Sequence, residues 1–386
     1  MSRFVYADNA ATTKLSSSAL DAMLPWLTDG YGNPSSVYKI GRASRRALDG
    51  ARDGIARALN AKPEEIVFTG SGTEANNWAL RGICAQLRDK GRHIISSAIE
   101  HHANLNTLQD MEKHGYEVTY LPVDEYGRVS PGDLKQAIRE DTILITIMFA
   151  NNEIGTIQPV AEIGAIARAH GILFHTDAVQ AVGHVPVDVD AMQIDLLSLS
   201  AHKFQGPKGV GALYVKKGVR LPAFITGGGQ EKGRRAGTEN VAGIIGMAKA
   251  LEDCISHLDK SMTRITTLRD KLIAGLTSLP AVQLTGHPSE RLPGVASVTF
   301  ACIEGEALIL MLDAAGIAAS SGSACSSGAL DPSHVLLAIG LPHEVAHGSV
   351  RFSFGEETTE ADVDYILEQV PPIVEKLRAM SPLWEE

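Results

Sequence analysis

No apolar run in this 386-residue chain approaches the ~18 residues that a membrane span needs. A membrane protein is therefore not expected. The opening stretch MSRFVYADNAATT has no charged segment followed by an apolar one, so no signal peptide is predicted and a cytoplasmic protein is expected. Positive charge is in deficit: 35 Lys and Arg stand against 45 Asp and Glu, a formal net charge of −10. Nucleic acids and anionic membranes call for a basic face, so neither is an expected partner. An anionic ligand would have to be held by a local site. Cysteine is scarce, with only Cys84, Cys254, Cys302 and Cys325, none of them paired at metal-ligand spacing. A reducing compartment disfavours disulfides, so the open question is whether one of these thiols is reactive. There is no internal repeat and no compositional break. What remains is 44% hydrophobic and 21% charged residues, the make-up of a globular protein. At roughly 100–200 residues per domain, the length suggests two domains, or one large and one small.

Strand-like runs alternate with helical patterns through the first two thirds. The runs EIVFTG, HIISS, VTYLPV, TILITIMFA, ILFHTDAV and IDLLSLS read as strands, with helical periodicity near 73–89, 104–114, 131–139 and 160–170. This alternation predicts an α/β fold with a largely parallel sheet covered by helices. TILITIMFA and IDLLSLS are apolar nearly throughout, as strands buried on both faces are. Residues 240–279 read as a helical passage to a smaller C-terminal domain with strands near VASVTFA and GSVRFSF. A last helix starts near Thr359 and is expected to be interrupted at Pro371 and Pro372.

Chemistry-bearing residues follow the strands, where open α/β sheets bind ligands. In SLSAHKFQGPKG, Lys203 comes directly after an apolar run, beside Ser200 and His202. It is either an ordinary exposed cation or, if desolvated, an amine able to form a Schiff base with an aldehyde. In FHTDAVQAVG, Asp177 is either a cap or the partner of a pyridinium nitrogen, with Gln180 placed to bond a ring substituent. In FTGSGTEANN, Ser71 and Glu74 have capping-box spacing, while Gly72 and Thr73 offer amides and a hydroxyl at a helix N-terminus, a phosphate cradle. His101 in IEHHAN is either a polar loop residue or one that stacks on a flat ring or moves protons. Asn152 in FANNEIG can orient a ring hydroxyl or a substrate carboxylate. Arg351 in SVRFSF lies in an apolar strand and needs a partner, either a structural carboxylate or a substrate carboxylate. The patch SSGSACSSGAL, residues 320–330, reads as a flexible surface loop around Cys325. Another reading takes His101, His102, His175, Asp177 and His202 as a metal site. His175 and Asp177 would share a strand face, but no helix-borne His-x-x-x-His spacing supports it.

In their order, YADNAATT, GNPSSVY, GSGTEANN, EHHAN, ANNEIGT, HTDAVQ, SAHKFQGPKGVG, GRRAGTEN, SSGSACSSG and HGSVRFS span essentially the whole chain. Together they resemble the fold-type I, aminotransferase-like enzymes dependent on pyridoxal 5′-phosphate (PLP), and within these the NifS/IscS class of cysteine desulfurases. The loop resembles that of the long-loop subgroup. The ending SPLWEE is closer to the nitrogen-fixation branch than to the general iron–sulfur branch.

The resemblance implies a large PLP-binding domain, 13–258, and a small α+β domain made of 1–12 and 259–386 that carries loop 320–330. Lys203 would hold PLP, Asp177 would pair with the ring nitrogen, Gln180 with the phenolic oxygen, and His101 would stack on the ring. Gly72, Thr73, Ser200 and His202 would bind the phosphate. Thr238 would reach the phosphate of the other subunit in a homodimer. Asn152 and Arg351 would hold the carboxylate of L-cysteine. Cys325, as a thiolate, would accept the sulfur, with His101 a candidate to deprotonate it. An iron–sulfur scaffold protein would be the onward acceptor, and no intrinsic metal is expected beyond transient cluster ligation by Cys325. Cys84, Cys254 and Cys302 are expected to be small, mostly buried and inert. Selenocysteine lyase, another PLP-dependent β-lyase, an aminotransferase and a non-catalytic scaffold are the alternatives. The first three would not need Cys325.

Overall fold

The computed structural model describes residues 3–321 and 332–384. In chain order its strands are β1 (Val5–Tyr6), β2 (Ile66–Thr69), β3 (His93–Ser97), β4 (Glu117–Leu121), β5 (Thr142–Thr146), β6 (Leu173–Asp177), β7 (Leu196–Ser200), β8 (Gly211–Val215), β9 (Val282–Leu284), β10 (Val295–Phe300), β11 (Ile317–Ala318) and β12 (Ser349–Ser353). Seven form one sheet in the order β2-β8-β7-β6-β5-β3-β4. Its pairings are parallel except where β8 runs antiparallel between β2 and β7. Every residue of β3, β5, β7 and β8 is buried, which for β5 and β7 explains why TILITIMFA and IDLLSLS read as continuous apolar runs instead of alternating. Helices Gly72–Leu87, His102–Glu112, Pro131–Ala137 and Val160–Ala169 fall where the periodicity predicts them.

A second apolar cluster lies beyond. It joins Val5 and Ala7 to β10, β12 and the helices Leu258–Thr277, Gly305–Ala314 and Glu360–Met380. There the strands run β12-β10-β9, all antiparallel, while β1 pairs with β11. The tract 240–279 is helical as expected, in two pieces that meet at His257. Among the described residues, no helix is long and apolar enough to cross a membrane.

Two expectations need correction. The helix Glu360–Met380 runs unbroken through Pro371 and Pro372. Proline fixes φ near the helical value, so the loss is confined to the Leu367 and Glu368 carbonyls, and Glu368 is exposed to water. Burial of Ile366, Val370, Ile373 and Val374 on one face holds the helix together across the gap. Cys302 is half-exposed, not buried. It sits at φ +63° in the turn after β10, and its thiol donates to the Leu383 carbonyl at 3.2 Å.

Candidate active site

The carboxyl ends of β2, β3, β5, β6 and β7 open on the same edge of the sheet, and the predicted residues collect there. Of those among the described residues, all except Thr238 border one cavity of about 350 Å3. Thr238 is exposed and does not line it. Cys325 lies outside the described residues.

Strand β7 delivers Lys203 through a short 3-10 turn, Ala201–Lys203, anchored by the buried side chains of Ala201 and Phe204. The lysine Nζ donates to the carbonyls of Ala10 (2.6 Å) and Ala11 (2.9 Å). Asp177 ends β6 and is held at both oxygens: Oδ1 accepts from the Val179 amide at 3.0 Å and Oδ2 from Asn76 Nδ2 at 2.6 Å. Gln180 follows one turn later, its Nε2 donating to the Ala10 carbonyl at 2.9 Å.

After β2 the chain turns into the helix Gly72–Leu87. Ser71 Oγ caps it by accepting from the Glu74 amide at 3.1 Å. The capping box is only half formed. The Glu74 carboxylate reaches the Gly70 amide (2.7 Å) and not that of Ser71, because Arg235 draws it outward with two bonds of 2.9 and 3.0 Å. The first amides of a helix have no intrahelical acceptor, and those of Gly72 and Thr73 stand at the positive end of the dipole. A Cβ on Gly72 would lie 2.7 Å from Val179 Cγ2, so only glycine lets the helix end come this close to β6.

His101 caps the next helix, His102–Glu112: its Nδ1 accepts from the Ala103 amide at 3.0 Å. Burial lowers its pKa, Lys203 and His102 lower it further, and Asp177 opposes them. The neutral ring thus keeps its proton on Nε2, an assignment made from this bond. Any proton His101 exchanges with a ligand passes through Nε2. His202 faces Thr12 Oγ1 at 3.1 Å through Nδ1, and its pKa falls to about 4, first through burial and then through Lys203 and Lys208.

Arg351 projects from β12, in the second cluster, toward the same cavity. Nη1 donates to the Asn152 carbonyl (2.7 Å) and Nη2 to Asp8 Oδ1 (2.9 Å). Its buried Nε has no hydrogen-bond partner among the described residues. The guanidinium is therefore held at both terminal nitrogens, with its Nε donor unsatisfied.

Reading the sequence missed the supports of this site. Asn76 sits on the second turn of its helix with nothing in its context to say which strand it faces. Asp8, Thr12 and the carbonyls of Ala10 and Ala11 come from the first residues of the chain, remote in sequence from every strand end they serve. Glu100, beside His101, was also missed. Fully buried, it accepts from Ser97 Oγ (2.7 Å), Asn104 Nδ2 (3.0 Å) and the Met148 amide (2.8 Å). Burial still pushes its pKa up to about 7. The metal reading loses its anchor at His175, whose two ring nitrogens bond Thr146 Oγ1 (2.9 Å) and Ser198 Oγ (3.0 Å). Burial lowers its pKa to about 3, and it is a core histidine. Among the described residues, no group of three or more His, Cys, Asp or Glu side chains is placed to hold a metal.

The donor set suits pyridoxal phosphate. It combines an amine, an acid fixed by Asn76 and a backbone amide, and a helix N-terminus that borders the cavity at Gly72 and Thr73. Asn76, whose buried Oδ1 has no hydrogen-bond partner among the described residues, also lines the cavity.

Comparison with known proteins agrees. Residues 5–366 match the family described as aminotransferase class-V. The cysteine desulfurase IscS of Methanosarcina thermophila is 58% identical over 379 residues, covering 98% of this chain and 94% of the relative. That of Dictyoglomus turgidum is 54% identical over 387 residues, covering 100% and 98%. A solved structure described as a NifS-like protein superposes with a TM-score of 0.92 at 38% identity, covering 97% of this chain and all of the other. Another, described as SspA in complex with cysteine, has a TM-score of 0.81 at 37% identity and covers 91% and 98%. With sequence and structural relatives agreeing over nearly its whole length, the chain belongs to the aminotransferase class-V family, whose members depend on pyridoxal phosphate, and groups there with the cysteine desulfurases.

Proposed function

We propose that this chain is a cysteine desulfurase that converts L-cysteine to L-alanine and takes the sulfur onto Cys325 as a persulfide for iron–sulfur cluster assembly. One observation carries the reading. Lys203 and Arg351 line the same cavity, so an amine for an aldehyde cofactor and a guanidinium for a substrate carboxylate border one space. A structural relative described in complex with cysteine supports the choice of substrate.

Lys203 would hold the aldehyde of PLP. Asp177 and Gln180 would hold its ring nitrogen and phenolic oxygen, His101 would lie on its face, and Gly72, Thr73, Ser200 and His202 would hold its phosphate. When bound, PLP supplies an electron sink that acidifies the substrate Cα–H and weakens the Cβ–S bond. Lys203 Nζ, kept in place by the Ala10 and Ala11 carbonyls, takes the Cα proton. His101 donates or exchanges a proton through Nε2. Arg351 and Asn152 orient the substrate by its carboxylate. The Cys325 thiolate attacks the substrate sulfur, an S–S bond forms and the Cβ–S bond breaks. Sulfur is oxidised to the sulfane level and Cβ is reduced to a methyl group, so cysteine plus a protein thiol becomes alanine plus a protein persulfide without an external oxidant.

The active unit is a homodimer in which Thr238 serves the neighbouring site. Its exposure outside its own cavity and the resemblance of GRRAGTEN support this. The division into 13–258 and 1–12 with 259–386 is supported by the apolar cluster that joins Val5 and Ala7 to the C-terminal elements, although Leu292 and Val295 pack with the large domain and Val335, Leu336 and Ile339 share a cluster with Ile99, Met148 and Ile154. The protein acts in the cytoplasm and passes sulfur to a scaffold protein, without nucleic acid or membrane. The test is to incubate the PLP-loaded protein with L-cysteine and measure alanine together with persulfide on Cys325. Pyruvate and free sulfide in place of alanine and persulfide would make it a plain β-lyase.

A further inference from the structure

The chain on both sides of residues 322–331 is fastened to the corner of the cavity where Arg351 and Asn152 meet. On the ascending side, Ser320 pairs with Arg351. The Ser320 amide donates to the Arg351 carbonyl at 3.1 Å, and the Arg351 amide to the Ser320 carbonyl at 2.6 Å. On the descending side, Ser333 Oγ donates to Glu153 Oε2 while accepting from the amides of Val335 (3.1 Å) and Leu336 (3.4 Å). Glu153 directly follows Asn152, whose carbonyl receives Arg351 Nη1 at 2.7 Å. Beyond Ser333, the His334 ring reaches the Glu100 carbonyl at 3.0 Å and meets the edge of His102 at 4.9 Å between centroids. Val335, Leu336 and Ile339 pack there on Ile99, Met148 and Ile154.

Glu153 is the costly member of this arrangement. It is only 5% exposed, and Ser333 is the one side chain hydrogen-bonded to its carboxyl among the described residues. Burying a carboxyl with so little compensation is unfavourable. The turn it sits in does not need it. Asn151 Oδ1 already takes the amides of Glu153 (2.8 Å) and Ile154 (3.0 Å), and the Asn151 and Gly155 backbones close the turn. Nor does the short helix after Ser333 need it, because the serine caps that helix alone. What the carboxyl adds is a fixed distance between Ser333 and the Asn152–Arg351 corner.

We propose that Glu153 is a positioning residue for the sulfur-accepting step: by holding Ser333 it ties the descending end of the Cys325-bearing segment to the corner that receives the substrate carboxylate. This rests on the desulfurase reading above. Both ends of the segment are then measured from Arg351, so the substrate that docks on Arg351 lies at a set position relative to both anchors of the accepting cysteine.

The test uses the PLP-loaded protein and its Glu153→Ala, Glu153→Gln, Ser333→Ala and Ser333→Thr variants. Persulfide on Cys325 is followed in a single turnover by quenching and mass spectrometry, and cysteine binding by the change in the cofactor's visible spectrum. Both alanine variants should slow persulfide formation about tenfold, the scale of one hydrogen bond to a carboxylate. The half-saturating cysteine concentration should stay unchanged, the double alanine variant should be no slower than either single one, and Gln and Thr should restore the rate. Unchanged rates in the alanine variants would overturn the proposal. So would a rise in half-saturating cysteine that matches the rate loss, because the corner itself would then have collapsed. Amide hydrogen exchange over residues 335–341 on the same samples reads the anchor without turnover. It should quicken in Glu153→Ala, and no change there overturns the proposal. A wild type that makes no persulfide, yet shows the exchange difference, refutes the desulfurase reading and leaves the anchor standing.

Discussion

Replacing Arg351 with alanine separates two contributions that the structure superposes on one side chain. Its side chain is 4% exposed, bonded to the Asn152 carbonyl and to Asp8, whose side chain is 21% exposed. Its Nε is buried without a hydrogen-bond partner among the described residues, a state that costs about 1–3 kcal/mol. A substrate carboxylate in the cavity that Arg351 lines would add a charge-assisted contact to the guanidinium. Charge-assisted contacts of this kind are worth roughly 1.5–3 kcal/mol, or about ten- to 150-fold in affinity. Arg351→Ala should therefore raise the KM for cysteine by that factor, with kcat and PLP affinity much less affected. It should also lower Tm, because Asp8 loses its cation. Asp8→Asn isolates the second effect: it breaks the ion pair and keeps the guanidinium, so Tm should fall while KM stays near the wild-type value. The measurements are initial rates of alanine formation against cysteine concentration, spectroscopic titration with PLP, and thermal melts. If Arg351→Ala matches Asp8→Asn in both KM and Tm, the arginine is only an ion-pair partner and the substrate role is wrong.

Borohydride reduction of the PLP-loaded protein followed by peptide mapping should place the cofactor on Lys203. Label on Lys208 would overturn that assignment. Cys325→Ala should keep the cofactor spectrum and its response to cysteine but lose persulfide and nearly all alanine, whereas Cys84→Ala and Cys254→Ala, whose thiols burial pushes to higher pKa (Cys254 to about 12), should stay active. Wild-type alanine release from Cys325→Ala in dithiothreitol would sink the sulfur-acceptor role. Glu100, with its pKa pushed up to about 7, keeps in the folded state a proton that the unfolded chain has already released, so its contribution to stability is present at low pH and is lost as pH rises through about 7. Between about pH 5.5 and 8 the wild type should lose roughly 2 kcal/mol of urea stability relative to Glu100→Gln, and parallel pH curves for the two would refute the assignment.

The residues that sequence made legible are those whose chemistry follows a recognisable local pattern. Lys203 and His101 come shortly after buried strands and Asp177 ends one, and a strand-like run leading into a functional side chain is readable without a fold. The supports were not legible, because they depend on pairings across long separations. Asp8 meets Arg351 across 343 residues and Asn76 meets Asp177 across 101. Strand β8 passed unnoticed because GALYV opens with two residues that favour no sheet, yet it is buried between β2 and β7 on their antiparallel ladders. At Pro371 and Pro372 a sound local rule failed, since the packing of one helix face outweighed two lost backbone bonds. Cys302 was misjudged for the opposite reason: strand context suggested burial, but a left-handed turn carries it out of the sheet.

The first residues of the chain link these observations. Val5 and Ala7 are buried in the second apolar cluster, so the segment is fixed at that end by burial. A few residues on, the carbonyls of Ala10 and Ala11 hold Lys203 and the Ala10 carbonyl also holds Gln180. Thr12 meets His202, and Asp8 holds Arg351. One short segment thus touches the proposed cofactor amine, the proposed ring and phosphate ligands, and the proposed carboxylate ligand, and it does so mainly through backbone oxygens that substitution cannot remove. The sheet alone cannot place Arg351, because β12 belongs to the other cluster; it depends on Asp8 and the Asn152 carbonyl for its orientation. Ser320 pairs with the backbone of Arg351, so the position of one end of the Cys325-bearing segment follows that of the arginine. The proposed cofactor amine, the proposed carboxylate ligand and the Ser320 anchor are therefore referred to a common frame in which Asp8–Thr12 is the shared member. A displacement of that segment would be felt at all three together.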